Sequence, residues 1–151
     1  METKNDAAHL LNPLALNEMV RQAHGTAKEK GWHDPGMEKT VGDDVALMHS
    51  ELSELLEDFR AGHKPDEIYY EATIVCKETG SHKKVTLKSG ELLGNTFVGM
   101  PKPCGIPIEL ADVLIRAADF CGKYGIDLDT AVKLKLEYNK SRSHRHGGKA
   151  L

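Results

Sequence analysis

From Leu14 to Lys30, apolar or small residues recur at Leu16, Met19, Val20, Ala23 and Ala27, the three-and-four spacing of one helical stripe, and Gly31 supplies a stop. The following Trp32 to Gly36 reads as a loop, because Asp34-Pro35-Gly36 is turn chemistry and the residue before a proline avoids helix. A longer helix is expected from about Thr40 to Ala61. Its apolar positions are Val41, Val45, Met48, Leu52, Leu55, Leu56 and Phe59, and Gly62 ends it. Between Lys64 and Gly105 the period changes. Tyr69 to Val75 and Val85 to Leu87 are rich in β-branched and aromatic residues and flank Glu78-Thr79-Gly80-Ser81, which predicts a small β-hairpin. Helical spacing returns from Pro107 to Tyr124 through Ile108, Ala111, Leu114, Ile115, Ala118 and Cys121, with Gly125 as its stop. A last helix starts near Leu128 and carries Ala131, Val132, Leu136 and Tyr138 before a basic, irregular tail.

The pattern therefore predicts an all-α bundle of about four main helices, with a small hairpin inserted at about residues 66–104. A chain of 151 residues suits a single domain, 1–151. The 20 Lys and Arg against 23 Asp and Glu give a formal charge of -3, without the basic excess that nucleic-acid binding demands, so no nucleic-acid partner is expected. Cys76, Cys104 and Cys121 are widely spaced and form no CxxC pair, which argues against a disulfide framework and a cysteine zinc site and for a reducing interior. The polar opening Met1 to Asp6 leads into no long apolar run. No secretory signal, membrane span or membrane partner is expected, and the reading is cytoplasmic.

The chemistry sits in two acidic pairs. Glu51 and Glu54 lie three apart on the second helix, their Cβ atoms roughly 5 to 6 Å from each other, where like charges repel unless a cation intervenes. Glu57 and Asp58 extend that acidic face. Glu109 and Asp112 repeat the spacing among Ile108, Leu110, Ala111, Val113, Leu114 and Ile115, where a carboxylate needs solvent, a cationic partner or a metal. Packed antiparallel, the two helices would bring four carboxylates to one point. Such hard oxygen ligands suit Mg²⁺, with Mn²⁺ as a substitute, rather than zinc. The bland alternative is two ordinary solvated helix faces.

The stretch His49 to Arg60, His-Ser-Glu-Leu-Ser-Glu-Leu-Leu-Glu-Asp-Phe-Arg, and the stretch Gly105 to Arg116, Gly-Ile-Pro-Ile-Glu-Leu-Ala-Asp-Val-Leu-Ile-Arg, resemble the ExxE and ExxD motifs of MazG-like pyrophosphohydrolases. Glu137 to Arg142 and Arg145 to Lys149 are similar to the family's ending. The similar segments cover about half the chain in the family's order, while the stretch from about Ile68 to Met100 is longer than the family's usual loop. The resemblance implies a MazG-like helical bundle and a Mg²⁺-dependent hydrolase. Such an enzyme cleaves a nucleoside triphosphate between its α- and β-phosphates, giving the monophosphate and pyrophosphate. It implies catalytic and metal-binding roles for Glu51, Glu54, Glu109 and Asp112, and a homodimer or homotetramer.

In this reading Glu54 is the preferred base for the attacking water, with Glu57 or Asp58 in reserve. Charge on the leaving pyrophosphate calls for cations, and Lys133, Lys135, Arg142, Arg145 and Lys149 gather around the last helix and tail. Lys135, Asn139, Arg142 and Lys149 are the substrate-binding candidates, against a solvated basic terminus or a frayed helix end. Trp32 is a candidate for stacking on a nucleobase, against packing in the core. The histidines His24, His33, His49, His63 and His82 read as surface or structural residues, and no HExxH, phosphate loop, dinucleotide fingerprint or nucleophile elbow occurs. Two rivals stand beside the enzyme. One is a helical interaction module that binds metal without turnover, and the other a related enzyme acting on a phosphoribosyl nucleotide.

Overall fold

The computed structural model describes residues 14–76, 78–92 and 96–143. The elements run α1 (Leu14–Glu29), α2 (Val41–Arg60), β1 (Tyr69–Val75), β2 (His82–Lys88), β3 (Lys102–Cys104), α3 (Ile106–Tyr124) and α4 (Leu128–Ser141). Local chemistry sets the helix ends. Thr40 caps α2 in a reciprocal box with Asp43: its hydroxyl accepts from the Asp43 N–H, and the Asp43 carboxylate accepts from the Thr40 N–H. Asp127 caps α4 by accepting from the Thr130 N–H. At the end of α1 the Gly31 and Trp32 N–H groups donate to the Lys28 and Ala27 carbonyls, so the chain reverses at once into the Trp32 to Gly36 turn.

The all-α expectation is corrected. The four helices accompany a three-stranded antiparallel sheet of order β2-β1-β3, so the fold is mixed rather than all helical. β1 pairs with β2 from Tyr69↔Lys88 to Val75↔His82, and with β3 from Tyr69↔Cys104 to Glu71↔Lys102. The physical reason for the miss lies at the sheet's two edges. β3 is only Lys102-Pro103-Cys104, too short for alternation to show, and its proline is tolerated because an edge strand has one unpaired side. β2 opens with His82-Lys83-Lys84, exposed polar residues that protect an edge but give no strand signal. The predicted hairpin is therefore two strands of a larger sheet.

The chain divides into two compact units, one taking residues up to Glu38 and from Ala117 onward, the other Lys39–Arg116. In the first, Val20, Ala118 and Cys121 form a small buried core against which Met19, Ala23 and Leu128 pack. The Asn17 side chain binds α1 to the start of α4, donating to Asp127 and accepting from the Leu128 N–H. The second holds α2, the sheet and the first part of α3. Its α2 presents Val41, Val45, Leu52, Leu56 and Phe59, the last 60% exposed, along a single stripe left exposed among the described residues. The three cysteines are free thiols, and Cys104 and Cys121 are buried as core residues. Among the described residues no helix is long and apolar enough to cross a membrane.

Candidate metal centre

The second unit builds the centre from α2 and the opening of α3. With α2 started by the Thr40 box, Glu51, Glu54 and Asp58 fall at three- and four-residue intervals on one flank of the helix, apart from its apolar stripe. The start of α3 is fixed by Gly105, whose carbonyl accepts from the Ile108 and Glu109 N–H groups. Gly105 has φ 115°, and a Cβ there would stand 2.3 Å from the Glu67 carbonyl oxygen, so only glycine lets β3 turn directly into α3 at this point. The turn puts Glu109 in the first turn of α3 and Asp112 one turn further.

Three of the four predicted carboxylates come together. One oxygen each from Glu51, Glu109 and Asp112 lies within 4.8 Å of the others, a spacing that can hold a metal ion. Around an octahedral Mg²⁺ with ligands at about 2.1 Å, oxygen pairs are roughly 3 to 4 Å apart, so the group fits with small adjustment. Glu51 and Glu109 are the only buried charged residues among the described ones, 5% and 6% exposed. Burial first, and then the negative charges of Glu54 and Asp112, push the Glu109 carboxyl above its ordinary range, while the Lys102 ammonium works in the opposite direction. Glu54 is exposed beside this group, outside the cluster of three.

Arg116 completes the site. Its Nε and a terminal nitrogen both donate to the same Glu51 oxygen at 2.5 Å, giving that buried acid a cationic partner. The sequence reading assigned Arg116 no role, although its position four residues after Asp112 and seven after Glu109 puts it on the same face of α3.

Of the reserve acids, Glu57 forms an exposed ion pair with Arg60. Asp58 accepts from the Tyr69 hydroxyl at 2.9 Å, and its second oxygen is buried without a hydrogen-bond partner. Burial, and then Asp58, hold the Tyr69 proton on well above its usual range. The Tyr69 ring also stacks on His63, with centroids 4.4 Å apart. Above the sheet, an open cleft is lined by Glu71 and Thr73 of β1, Lys84 and Thr86 of β2, and Val98, Met100 and Lys102.

The remaining predicted residues that the structure describes belong to the first unit. Lys135 and Asn139 are exposed on α4 and Arg142 just past its end, and Lys135 and Arg142 lie over the Tyr138 ring at 5.1 and 5.8 Å. Lys149 and Arg145 lie outside the described residues. Trp32 is 54% exposed, so it is not a core residue. The first unit also gathers His24 and His33, read from the sequence as surface or structural residues, with Asp119, to which the sequence reading gave no role. No family model, curated protein or solved structure matches this chain.

Proposed function

We propose that this protein is a Mg²⁺-dependent nucleoside triphosphate pyrophosphohydrolase, as its resemblance to MazG-like enzymes implies. The observation that carries the reading is the convergence of Glu51, Glu109 and Asp112 from two helices, with two of the three acids buried. Two buried carboxylates side by side are unfavourable unless cations join them; Arg116 answers Glu51, and a divalent ion would answer Glu109 and Asp112 as well. Glu51, Glu109 and Asp112 would hold Mg²⁺, or Mn²⁺ in its place. When bound, the ion supplies charge neutralisation and Lewis-acid polarisation of the phosphoryl oxygens.

The chain's own residues do the rest. Glu54, exposed and close enough for its charge to raise the Glu109 carboxyl, would take a proton from the attacking water. Asp58 is less suited to that work, because the Tyr69 hydroxyl already engages it. Arg116, bonded to Glu51 in this structure, would be available to a phosphate oxygen if Glu51 served as a metal ligand. Lys102 both offsets the Glu109 charge and lines the sheet cleft, so the cleft adjoins the acidic centre and is the natural seat for the nucleoside. Lys135, Asn139, Arg142, Lys149 and Trp32 remain substrate-binding candidates. The bare apolar stripe of α2 supports a homodimer or homotetramer.

One observation favours a purely structural role for these acids: the Arg116 ion pair gives Glu51 a partner without any metal. A panel of canonical and modified nucleoside triphosphates and phosphoribosyl nucleotides, incubated with Mg²⁺ and assayed for pyrophosphate against orthophosphate, separates the readings. The proposal expects pyrophosphate and a monophosphate from at least one triphosphate. Release of pyrophosphate only from phosphoribosyl nucleotides would move the activity to that substrate class, and none from any substrate would leave the module.

A further inference from the structure

We propose that His24, His33 and Asp119 form a second metal site, independent of the carboxylate centre and selective for a borderline transition-metal ion of the Zn²⁺ class. His24 stands on α1, His33 in the turn after it, and Asp119 on α3, all within the first unit. The His24 Nδ1–H and the His33 Nε2–H both donate to one oxygen, Asp119 Oδ1, at 2.7 and 2.8 Å. Their rings meet edge to face with centroids 4.7 Å apart. Two imidazoles thus converge on a single carboxylate oxygen, and one ligand atom from each residue lies within 4.8 Å of the others.

Ligand atoms around a tetrahedral Zn²⁺ are roughly 3.3 Å apart, so inserting an ion asks each nitrogen to retreat from Asp119 by about half an ångström. Each neutral imidazole can free its inward nitrogen by carrying its proton on the other one, so binding needs no net loss of protons from the rings. Two imidazoles and one carboxylate suit Zn²⁺, Co²⁺ or Ni²⁺ and are poor ligands for Mg²⁺, which divides the two centres by chemistry. The three side chains are 16, 17 and 25% exposed, dry enough to hold an ion yet open enough for water to complete its shell.

A separate feature of α3 serves the same spot. Gly122 lies three residues after Asp119, in the last turn of α3. A Cβ at this position would stand 2.4 Å from the His24 Cβ and 2.5 Å from its Cγ. The helix is bare where the imidazole must seat.

The test is a titration of untagged, chelator-stripped protein with Co²⁺, a spectroscopic stand-in for Zn²⁺, in excess Mg²⁺ that occupies the carboxylate centre, with bound cobalt counted by elemental analysis. The expected result is one ion per chain, with visible bands of low-symmetry nitrogen and oxygen ligation that Zn²⁺ abolishes. His33→Ala, in the turn, and Asp119→Asn should each weaken binding roughly 100-fold or more, since even outer-shell changes cost 10- to 100-fold. Glu109→Gln should leave it unchanged. Should Asp119→Asn fail to fold, His33→Ala and the wild-type stoichiometry still decide. Absence of a stoichiometric Co²⁺ complex in the wild type overturns the proposal. So does binding that survives His33→Ala, that is lost with Glu109→Gln, or that is removed by His144→Ala with His146→Ala instead.

Discussion

Glu109→Gln separates the ion's site from the fold that holds it. The substitution keeps volume and shape and removes one negative charge from a cluster whose oxygens lie no more than 4.8 Å apart. At that distance two unit charges repel by about 0.9 kcal/mol in water and about 3.5 kcal/mol at an effective dielectric of 20. Glu109 feels Glu54, Asp112 and Glu51, but Arg116 offsets much of the Glu51 charge and Lys102 opposes another, which leaves roughly one pair, or about 1 to 3 kcal/mol. In EDTA the variant should therefore be more stable than wild type, melting roughly 2 to 10 °C higher for a chain of this size. Excess Mg²⁺ should raise the wild-type melting temperature and leave the variant's unchanged, while pyrophosphate release disappears. The pH dependence has a fixed sign. Because the Glu109 carboxyl is held above its ordinary range, its contribution to metal-free stability is present below that range and is lost as pH rises through the raised value. The variant should lack this loss. Thermal melts in EDTA and in Mg²⁺ across pH 4 to 8 read both effects, and a variant that melts below wild type in EDTA would refute the reasoning.

Asp112→Asn should also eliminate turnover while far-ultraviolet circular dichroism stays native, and retained activity in both Asp112→Asn and Glu109→Gln would reject the centre. Gly105→Ala places a methyl 2.3 Å from the Glu67 carbonyl at a left-handed φ, so denaturant melts should show a loss of about 2 kcal/mol or more, with weakened Mg²⁺ affinity by calorimetry. Asp127 is held down to about 2, first by its bond from Asn17 and then by Thr130, so its stabilising effect is present above the ordinary aspartate value of about 3.8. That effect should fade as pH falls through this range toward 2. Asp127→Asn should flatten that part of the acid-denaturation curve.

The helices were legible because their apolar residues recur over many turns and Gly31, Gly62 and Gly125 mark their stops, whereas the caps of Thr40 with Asp43 and Asp127 with Thr130 emerged only from the structure. The sheet was half legible. β1 carries Tyr69 to Val75, but β3 is a strand only because β1 lies beside it, and three residues around a proline hold no period of their own. Glu109 and Asp112 stood out as acids among apolar neighbours, a conflict that asks for a partner. Arg116 did not, because a basic residue on a helix face is unremarkable until its target is known. His33 and Asp119 are 86 positions apart, one of them in a turn, and no spacing rule joins such residues before the chain has folded.

The ladder between β1 and β3 decides where this chain tolerates a change of length. Tyr69 faces Cys104, and the next residue begins the turn into α3, so the first strand serves as a ruler against which the third helix is laid. A residue inserted between Glu78 and Ser81 would enlarge a loop tip and leave the acids in place. A residue inserted between Cys104 and Ile106 would displace the start of α3 and rotate Glu109 and Asp112 out of phase with Glu51. Variation in this segment should thus concentrate at the far end of the hairpin, and the three residues of β3 should keep their length.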